Sequence, residues 1–149
     1  MLEAVKSLIS RHKIIAVDTS LFIYHFEENP SYAGLTTLVL DRIQCGKSRG
    51  IASELTLHEL LIRPLKLKLP EVADEYEILL SSFPNLTLSP VTRPVLLKAA
   101  ELRAVYEFRT PDAIIIATAL INHATLLITN DKKWKRLKEL AVACLDDFK

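Results

Sequence analysis

Glycine is scarce in this 149-residue chain: there are three, Gly34, Gly46 and Gly50, and they fall in neither a G-x-G-x-x-G nor a G-x-x-x-x-G-K pattern. Both patterns need closely spaced glycines so that backbone N–H groups can approach a pyrophosphate. Dinucleotide binding through that fingerprint and P-loop nucleotide chemistry are therefore excluded. Cysteine is scarcer still. Cys45 and Cys144 stand far apart, with no C-x-x-C or paired Cys/His spacing, which excludes the usual zinc patterns and a disulfide framework. Both thiols are expected buried and reduced. No stretch approaches roughly 18 apolar residues, and the start lacks the charged-then-apolar profile of a secretory leader. The chain reads as cytosolic, with no membrane partner. An excess of one charge is missing too: 19 Lys and Arg stand against 18 Asp and Glu. There is no global field to draw in nucleic acid, although a local stripe of cations can still supply one.

What is present is apolar residue in short, well-placed runs. Half the residues are hydrophobic, enough for one buried core and too short a chain for two ordinary domains, so residues 1–149 are expected to form a single domain. Runs at Ile14 to Val17, Ile51 to Ser53, Leu86 to Leu88, Leu126 to Thr129 and Val142 to Leu145 read as strands. Between them lie segments of helical period: Leu2 to Ser10, Leu21 to Phe26, Leu35 to Gln44, Thr56 to Arg63, Glu71 to Leu80, Pro94 to Tyr106 and Asp112 to Asn122. Thr56-x-x-Glu59 has capping-box spacing, and Pro64 is expected to end or kink the helix that follows. Thr110 is read as an N-cap and Pro111 as a first-turn proline. The stretch Arg63 to Pro70, in which Lys66 and Lys68 alternate with leucines, reads first as a solvated connection. Strands alternating with helices predict an α/β fold, a three-layer α/β/α sandwich around a mostly parallel sheet.

Four acids stand where these elements change over: Asp18 in IIAVDTS, Glu59 in TLHELL, Asp112 in TPDAIIIATAL and Asp131 in LLITND. Each has a structural reading beside the functional one. Asp18 follows the first strand and either caps the next helix or faces the sheet edge where ligands bind. Asp112 suits the positive end of a helix dipole, but Thr110 already fills the cap and Ile114 to Ala117 bury the segment around it. Glu59 has Arg63 at i+4, a surface pair worth roughly 0.3 to 0.5 kcal/mol. Asp131 follows a strand and is placed to cap a helix starting at Lys132. Thr129 and Asn130 before it offer a hydroxyl and an amide to a carboxylate or a metal-bound water. Gathered at one edge, four carboxylates would repel one another strongly unless a hard divalent cation lay between them.

In this order, the four strings resemble the PIN-domain nucleases, including the VapC-like toxins of bacterial toxin–antitoxin pairs, from about Ile14 to Leu145. The resemblance implies a Mg²⁺- or Mn²⁺-dependent ribonuclease site at the carboxyl edge of the sheet, with Asp18, Glu59, Asp112 and Asp131 as catalytic and metal-binding acids and Thr129 as the small hydroxyl residue near the last of them. It implies hydrolysis leaving a 3′-hydroxyl and a 5′-phosphate, an RNA substrate that tRNA, mRNA or ribosomal RNA would satisfy equally, and an antitoxin partner laying an Arg or apolar arm over the pocket. It also implies a homodimer paired through helices, for which Leu35 to Ile43 offers an apolar face. The chain departs from the family where an aspartate-aromatic pair often follows the last acid: Lys133-Trp134 stands there.

On this reading Asp18, Glu59 and Asp112 hold the primary ion, and Asp131 orients the attacking water or helps hold a second one. No histidine is required, though His58 beside Glu59 is within sequence reach of substrate. Lys132, Lys133, Lys135, Arg136 and Lys138 read mainly as a solvated face, whereas Arg109 is the cation expected to contact phosphate. Two rivals remain. A catalytically silent PIN-like interaction module would use the same acids as caps and pairs. A phosphoacceptor domain would need a second acid near the first strand, and Asp18-Thr19-Ser20 supplies none.

Overall fold

The computed structural model describes residues 2–149. Five strands, β1 (Ile14–Val17), β2 (Arg49–Ser53), β3 (Leu86–Ser89), β4 (Leu126–Thr129) and β5 (Ala141–Cys144), form one sheet of order β3-β2-β1-β4-β5, with every neighbouring pair parallel. Parallel neighbours need crossovers: α2 (Thr19–Phe26) and α3 (Ala33–Gln44) join β1 to β2, α4 (Glu54–Lys66) and α5 (Pro70–Ser81) join β2 to β3, α6 (Arg93–Tyr106) and α7 (Thr110–Ile121) join β3 to β4, and a 3₁₀ turn (Lys132–Arg136) joins β4 to β5, while α1 (Leu2–Ser10) precedes the sheet.

The apolar runs are continuous because the strands are buried on both faces, and the two-residue period sorts their side chains into two cores. Ile15, Val17, Leu126 and Ile128 pack with Val5 and Ile9 of α1, Leu21 and Phe22 of α2, and Leu35, Val39, Leu40 and Ile43 of α3. Ala16, Ile51 and Leu127 face the other way, onto Val95, Ala99 and Leu102 of α6, Ile115 and Ile116 of α7, and Trp134. This is the predicted α/β/α sandwich. On the first face α3 closes so tightly on β2 that a Cβ at Gly50 would stand 2.9 Å from Ile43 Cδ1 and from Leu86 Cδ1, which is why a residue without a side chain occupies that strand position.

Several local expectations are corrected. Ser53, the last residue of β2, caps α4 by accepting the Leu55 N–H at 3.1 Å, so the helix opens before Thr56 and there is no capping box. Thr56 is buried inside that helix instead. Helix α7 begins at Thr110, with Arg109 in the cap position and no side-chain capping bond. Pro64 does not stop α4, which continues to Lys66 with the ring buried, so the Arg63 to Pro70 stretch is half helix and then a short turn, and α5 starts at Pro70. Cys45 is exposed while Cys144 is buried. The apolar face of Leu35 to Ile43 is spent inside the molecule, with Leu35, Val39, Leu40 and Ile43 all buried, and is not free to pair with a second copy. With so little glycine, left-handed turn positions fall to other residues: Glu28, Lys68, Glu107 and His123 carry φ of 52°, 58°, 60° and 62°. Among the described residues no helix is long and apolar enough to cross a membrane.

Candidate active site

The strand order reverses direction at β1: the chain steps outward to β2 and β3, then returns to add β4 and β5 on the other side. Such a switch point leaves a crevice beyond the carboxyl ends of β1 and β4 that no crossover covers. Asp18 follows β1 directly, and Asp131 lies two residues beyond β4.

Asp18 is buried and held in one pose. Its Oδ1 accepts the Thr19 N–H at 2.7 Å, capping α2, and its Oδ2 accepts the Thr129 hydroxyl at 2.8 Å and the Ser20 hydroxyl at 3.4 Å. The cap and the site reading are therefore compatible in one residue. Burial pushes its pKa up to about 6; the Thr129 and Thr19 hydrogen bonds pull the other way, and the Glu59 and Asp112 charges add to the rise. Those two acids thus lie near enough for their fields to reach Asp18.

Glu59, on α4, accepts the Thr19 hydroxyl at 2.8 Å through Oε1. That hydroxyl has one proton, so the 3.0 Å contact between Thr19 Oγ1 and Thr56 Oγ1 is donated by Thr56. Thr19 therefore ties α2 to α4 and links the first two acids. The expected Glu59–Arg63 pair does not form: Arg63 reaches Glu27 at 3.2 Å. Asp112 sits in the first turn of α7 and meets Arg109 at 3.4 Å, with the aspartate side chain mostly covered and the arginine side chain 79% exposed. Asp131 caps the short 3₁₀ turn Lys132–Arg136 by accepting the Lys133 N–H at 3.0 Å, and its own N–H donates to Thr129 Oγ1 at 3.1 Å.

These side chains line one cavity of about 380 Å³, walled by Asp18, Thr19, Ser20 and Ile23 from α2 and its cap, Glu59, Ile62 and Arg63 from α4, Arg109, Asp112 and Ile115 from α7 and its cap, and Asp131 and Trp134. All four acids and Arg109 are thus brought together, with Thr129 beneath them. Asn130 is not among the lining residues; its amide nitrogen donates to Tyr24 and Tyr32 Oη at 3.0 and 3.1 Å, and its oxygen accepts the Asp146 N–H at 2.9 Å. His58 is exposed and outside the lining. So are the cations Lys132, Lys133, Lys135, Arg136 and Lys138, of which Lys135 pairs with Asp147 and Arg136 lies over the Phe108 ring. Sequence reasoning missed Thr19, Arg63 and Trp134, although Arg63, four residues after Glu59, shares its helix face.

The donor set is oxygen throughout, as a hard cation requires. Among the described residues no three His, Cys, Asp or Glu side chains stand close enough to hold a metal ion together. The walls thus offer a hard divalent cation oxygen ligands but no closed carboxylate cage, and water would complete the coordination of any ion held there. The candidates for that contact are Asp18, Glu59, Asp112 and Asp131.

Residues 15–140 match the family model described as PIN domain. No curated protein matches in sequence. Among solved structures, the fold is similar to VapBC2 from Rickettsia felis bound to a DNA fragment from their promoter, at 22% identity and TM-score 0.67, covering 88% of this chain and 98% of that one. DNA-bound VapBC from Salmonella typhimurium is similar at 18% identity and TM-score 0.69, covering 88% and 97%. A toxin–antitoxin complex from Klebsiella pneumoniae is similar at 21% and 0.67, covering 88% and 97%. At such identities the likeness is one of fold.

Proposed function

The chain belongs to the PIN domain family, and from that premise we propose that it is a metal-dependent endoribonuclease, the toxin component of a type II toxin–antitoxin pair, acting in the cytoplasm, with residues 1–149 folded as one domain. The observation that carries this reading is the convergence of Asp18, Glu59, Asp112 and Asp131 on one cavity at the switch point of the sheet. A bound Mg²⁺ or Mn²⁺ would supply Lewis acidity at the scissile phosphate and lower the pKa of a water.

The protein's part is to hold charge and position atoms. Asp18 enters with both oxygens oriented by Thr19 and Thr129, so no side-chain entropy is lost when the cation arrives. Glu59 is fixed through the Thr19 hydroxyl and keeps Oε2 unengaged for a ligand or a water. Asp112 stands in the first turn of α7 with its carboxylate mostly covered, so its position is fixed by the helix that carries it. Asp131, with Oδ1 spent on the Lys133 N–H, has Oδ2 left to orient a water for attack. Arg109, whose side chain is largely exposed, would be free to meet a phosphate oxygen if Asp112 were engaged by a cation. The product ends expected are a 3′-hydroxyl and a 5′-phosphate.

A cognate antitoxin is the expected partner, supported by the fold shared with VapBC complexes. A homodimer would have to use apolar residues other than those of α3; Ile78 on α5 and Leu97 and Val105 on α6 are exposed. The test is cleavage of RNA with Mn²⁺ by the parent protein, Asp18→Asn and Asp112→Asn. Cutting by the parent alone, with all three folded, supports the enzyme. A second reading, a catalytically silent interaction module, is favoured by the absence of a three-acid cluster among the described residues. It requires that neither Mg²⁺ nor Mn²⁺ raise the melting temperature.

A further inference from the structure

An acid-lined cavity repels the polyanion it is meant to cut, so the cations on its walls decide whether RNA can approach. The cations among its lining residues are Arg63 and Arg109. They come from two different walls: Arg63 from α4, on the same helix face as Glu59 and Ile62, and Arg109 from the cap of α7. Among the described residues each is held by one ion pair in which the arginine side chain is largely exposed. Arg63 Nη1 contacts both Glu27 oxygens, at 3.2 and 3.4 Å, with the arginine side chain 72% exposed. A pair of this kind contributes little to stability, so the guanidinium can exchange its carboxylate for another oxygen anion at small cost.

We propose that Arg63 is a substrate-positioning residue: it contacts a backbone phosphate of single-stranded RNA next to the phosphate being cut, and Glu27 is the internal competitor that occupies it when RNA is absent. The inference rests on the ribonuclease reading above and adds a residue and a regulating partner to it. Arg63 is suited to the task because the guanidinium fork matches phosphate oxygens bidentately. Its place one turn beyond Glu59 puts it beside the acids without taking it into their hydrogen-bond network. A partner that drew Arg63 back onto Glu27 would weaken RNA binding without touching the acids.

The experiment is fluorescence anisotropy of a labelled single-stranded RNA of mixed sequence in EDTA, read over a salt series, for the parent protein, Arg63→Gln, Arg109→Gln and Glu27→Gln, together with RNA cleavage in Mn²⁺. Arg63→Gln should weaken binding several-fold and reduce the slope of log affinity against log salt by roughly 0.7, the loss of one phosphate contact to a single strand. Glu27→Gln should tighten binding, and the Arg63→Gln, Glu27→Gln double variant should bind like Arg63→Gln alone, an ordering that a merely structural ion pair would not give. If Arg63→Gln keeps the parent affinity and slope while Arg109→Gln loses both, the Arg63 assignment is overturned and the ribonuclease reading survives. If the parent neither binds nor cuts RNA, both are overturned.

Discussion

The Thr129 hydroxyl donates to Asp18 Oδ2 at 2.8 Å, joining the end of β4 to the end of β1 across 111 residues of sequence. Thr129 Oγ1 also accepts the Asp131 N–H at 3.1 Å, so one small side chain orients the first acid and the loop carrying the last. Replacing Thr129 by valine keeps the shape and removes both roles. A hydrogen bond to a charged group is worth about 1.5–3 kcal/mol, so the pKa of Asp18 should rise by roughly one to two pH units above its value of about 6. Carboxyl-carbon NMR titration of the metal-free protein reads this directly. Thr129→Ser should restore the parent titration, and an unchanged Asp18 in the valine variant would show that the hydroxyl is not its donor.

Asp18 carries a stability consequence of definite sign. Its folded pKa, about 6, lies above the ordinary 3.8, so between those values the folded state binds the extra proton. The Asp18 contribution to stability is then greatest below about pH 4, falls as pH rises toward 6, and is flat beyond. Above pH 6 the ionised carboxylate costs the metal-free fold roughly 3 kcal/mol. Asp18→Asn removes that charge, and the amide can still accept from Thr19 N–H and donate to Thr129 Oγ1. In EDTA at pH 7.5 its melting temperature should exceed the parent's by several degrees, with the gap closing near pH 4. Mg²⁺ or Mn²⁺ should raise the melting temperature of the parent and not of the variant. A variant less stable than the parent at both pH values would contradict the account.

The layer order and all five strands could be read from the chain because an all-parallel sheet writes continuous apolar runs such as Ile14 to Val17 and Leu126 to Thr129. The sequence also marks Asp18 and Asp131, since a carboxylate at the end of such a run lies at the sheet edge, whereas Glu59 and Asp112 sit on helices and were marked through the order of the four strings. What it could not reveal was pairing across distance. Nothing local indicates that Thr19 bridges Asp18 and Glu59, that Arg63 turns from Glu59 to Glu27, or that the Asn130 amide is taken by Tyr24 and Tyr32. Helix starts were misplaced for a related reason. Ser53 and Thr56 are both plausible caps, and only the end of β2 decides that Ser53 takes the part.

Glycine scarcity leaves a reserve of stability. Glu107 closes α6 in the left-handed region at φ 60°, ψ 30°, exposed, with its N–H bonded to the Arg103 carbonyl. A side chain there costs about 1–2 kcal/mol that glycine would not incur, against which glycine loses about 0.4–1 kcal/mol through the freer unfolded chain. Glu107→Gly should therefore stabilise by up to about 1.5 kcal/mol, read from urea unfolding at unchanged slope. The same exchange at Glu101, inside α6, should destabilise by a similar amount. Loss of stability at both positions would show that the Glu107 conformation carries no strain.

The chain has a single tryptophan, and Trp134 lines the acid cavity beside Asp131 while being 1% exposed, its Nε1 without a hydrogen-bond partner. Its fluorescence therefore reports on one place in the molecule. Mn²⁺ is paramagnetic and quenches an indole at short range, whereas Mg²⁺ does not, so an ion held by the neighbouring acids should dim Trp134 in a saturable way that Mg²⁺ reverses by competition. Protons compete for the same oxygens, so the midpoint should move to higher Mn²⁺ as pH falls below about 6, where Asp18 takes up its proton. Asp18→Asn and Asp112→Asn should each weaken the quench by tenfold or more in Mn²⁺ concentration. Glu139→Gln, at an acid outside the cavity, should leave it unchanged. If Mn²⁺ raises the melting temperature while Trp134 emission stays constant, the ion is bound elsewhere and the four acids are not its ligands.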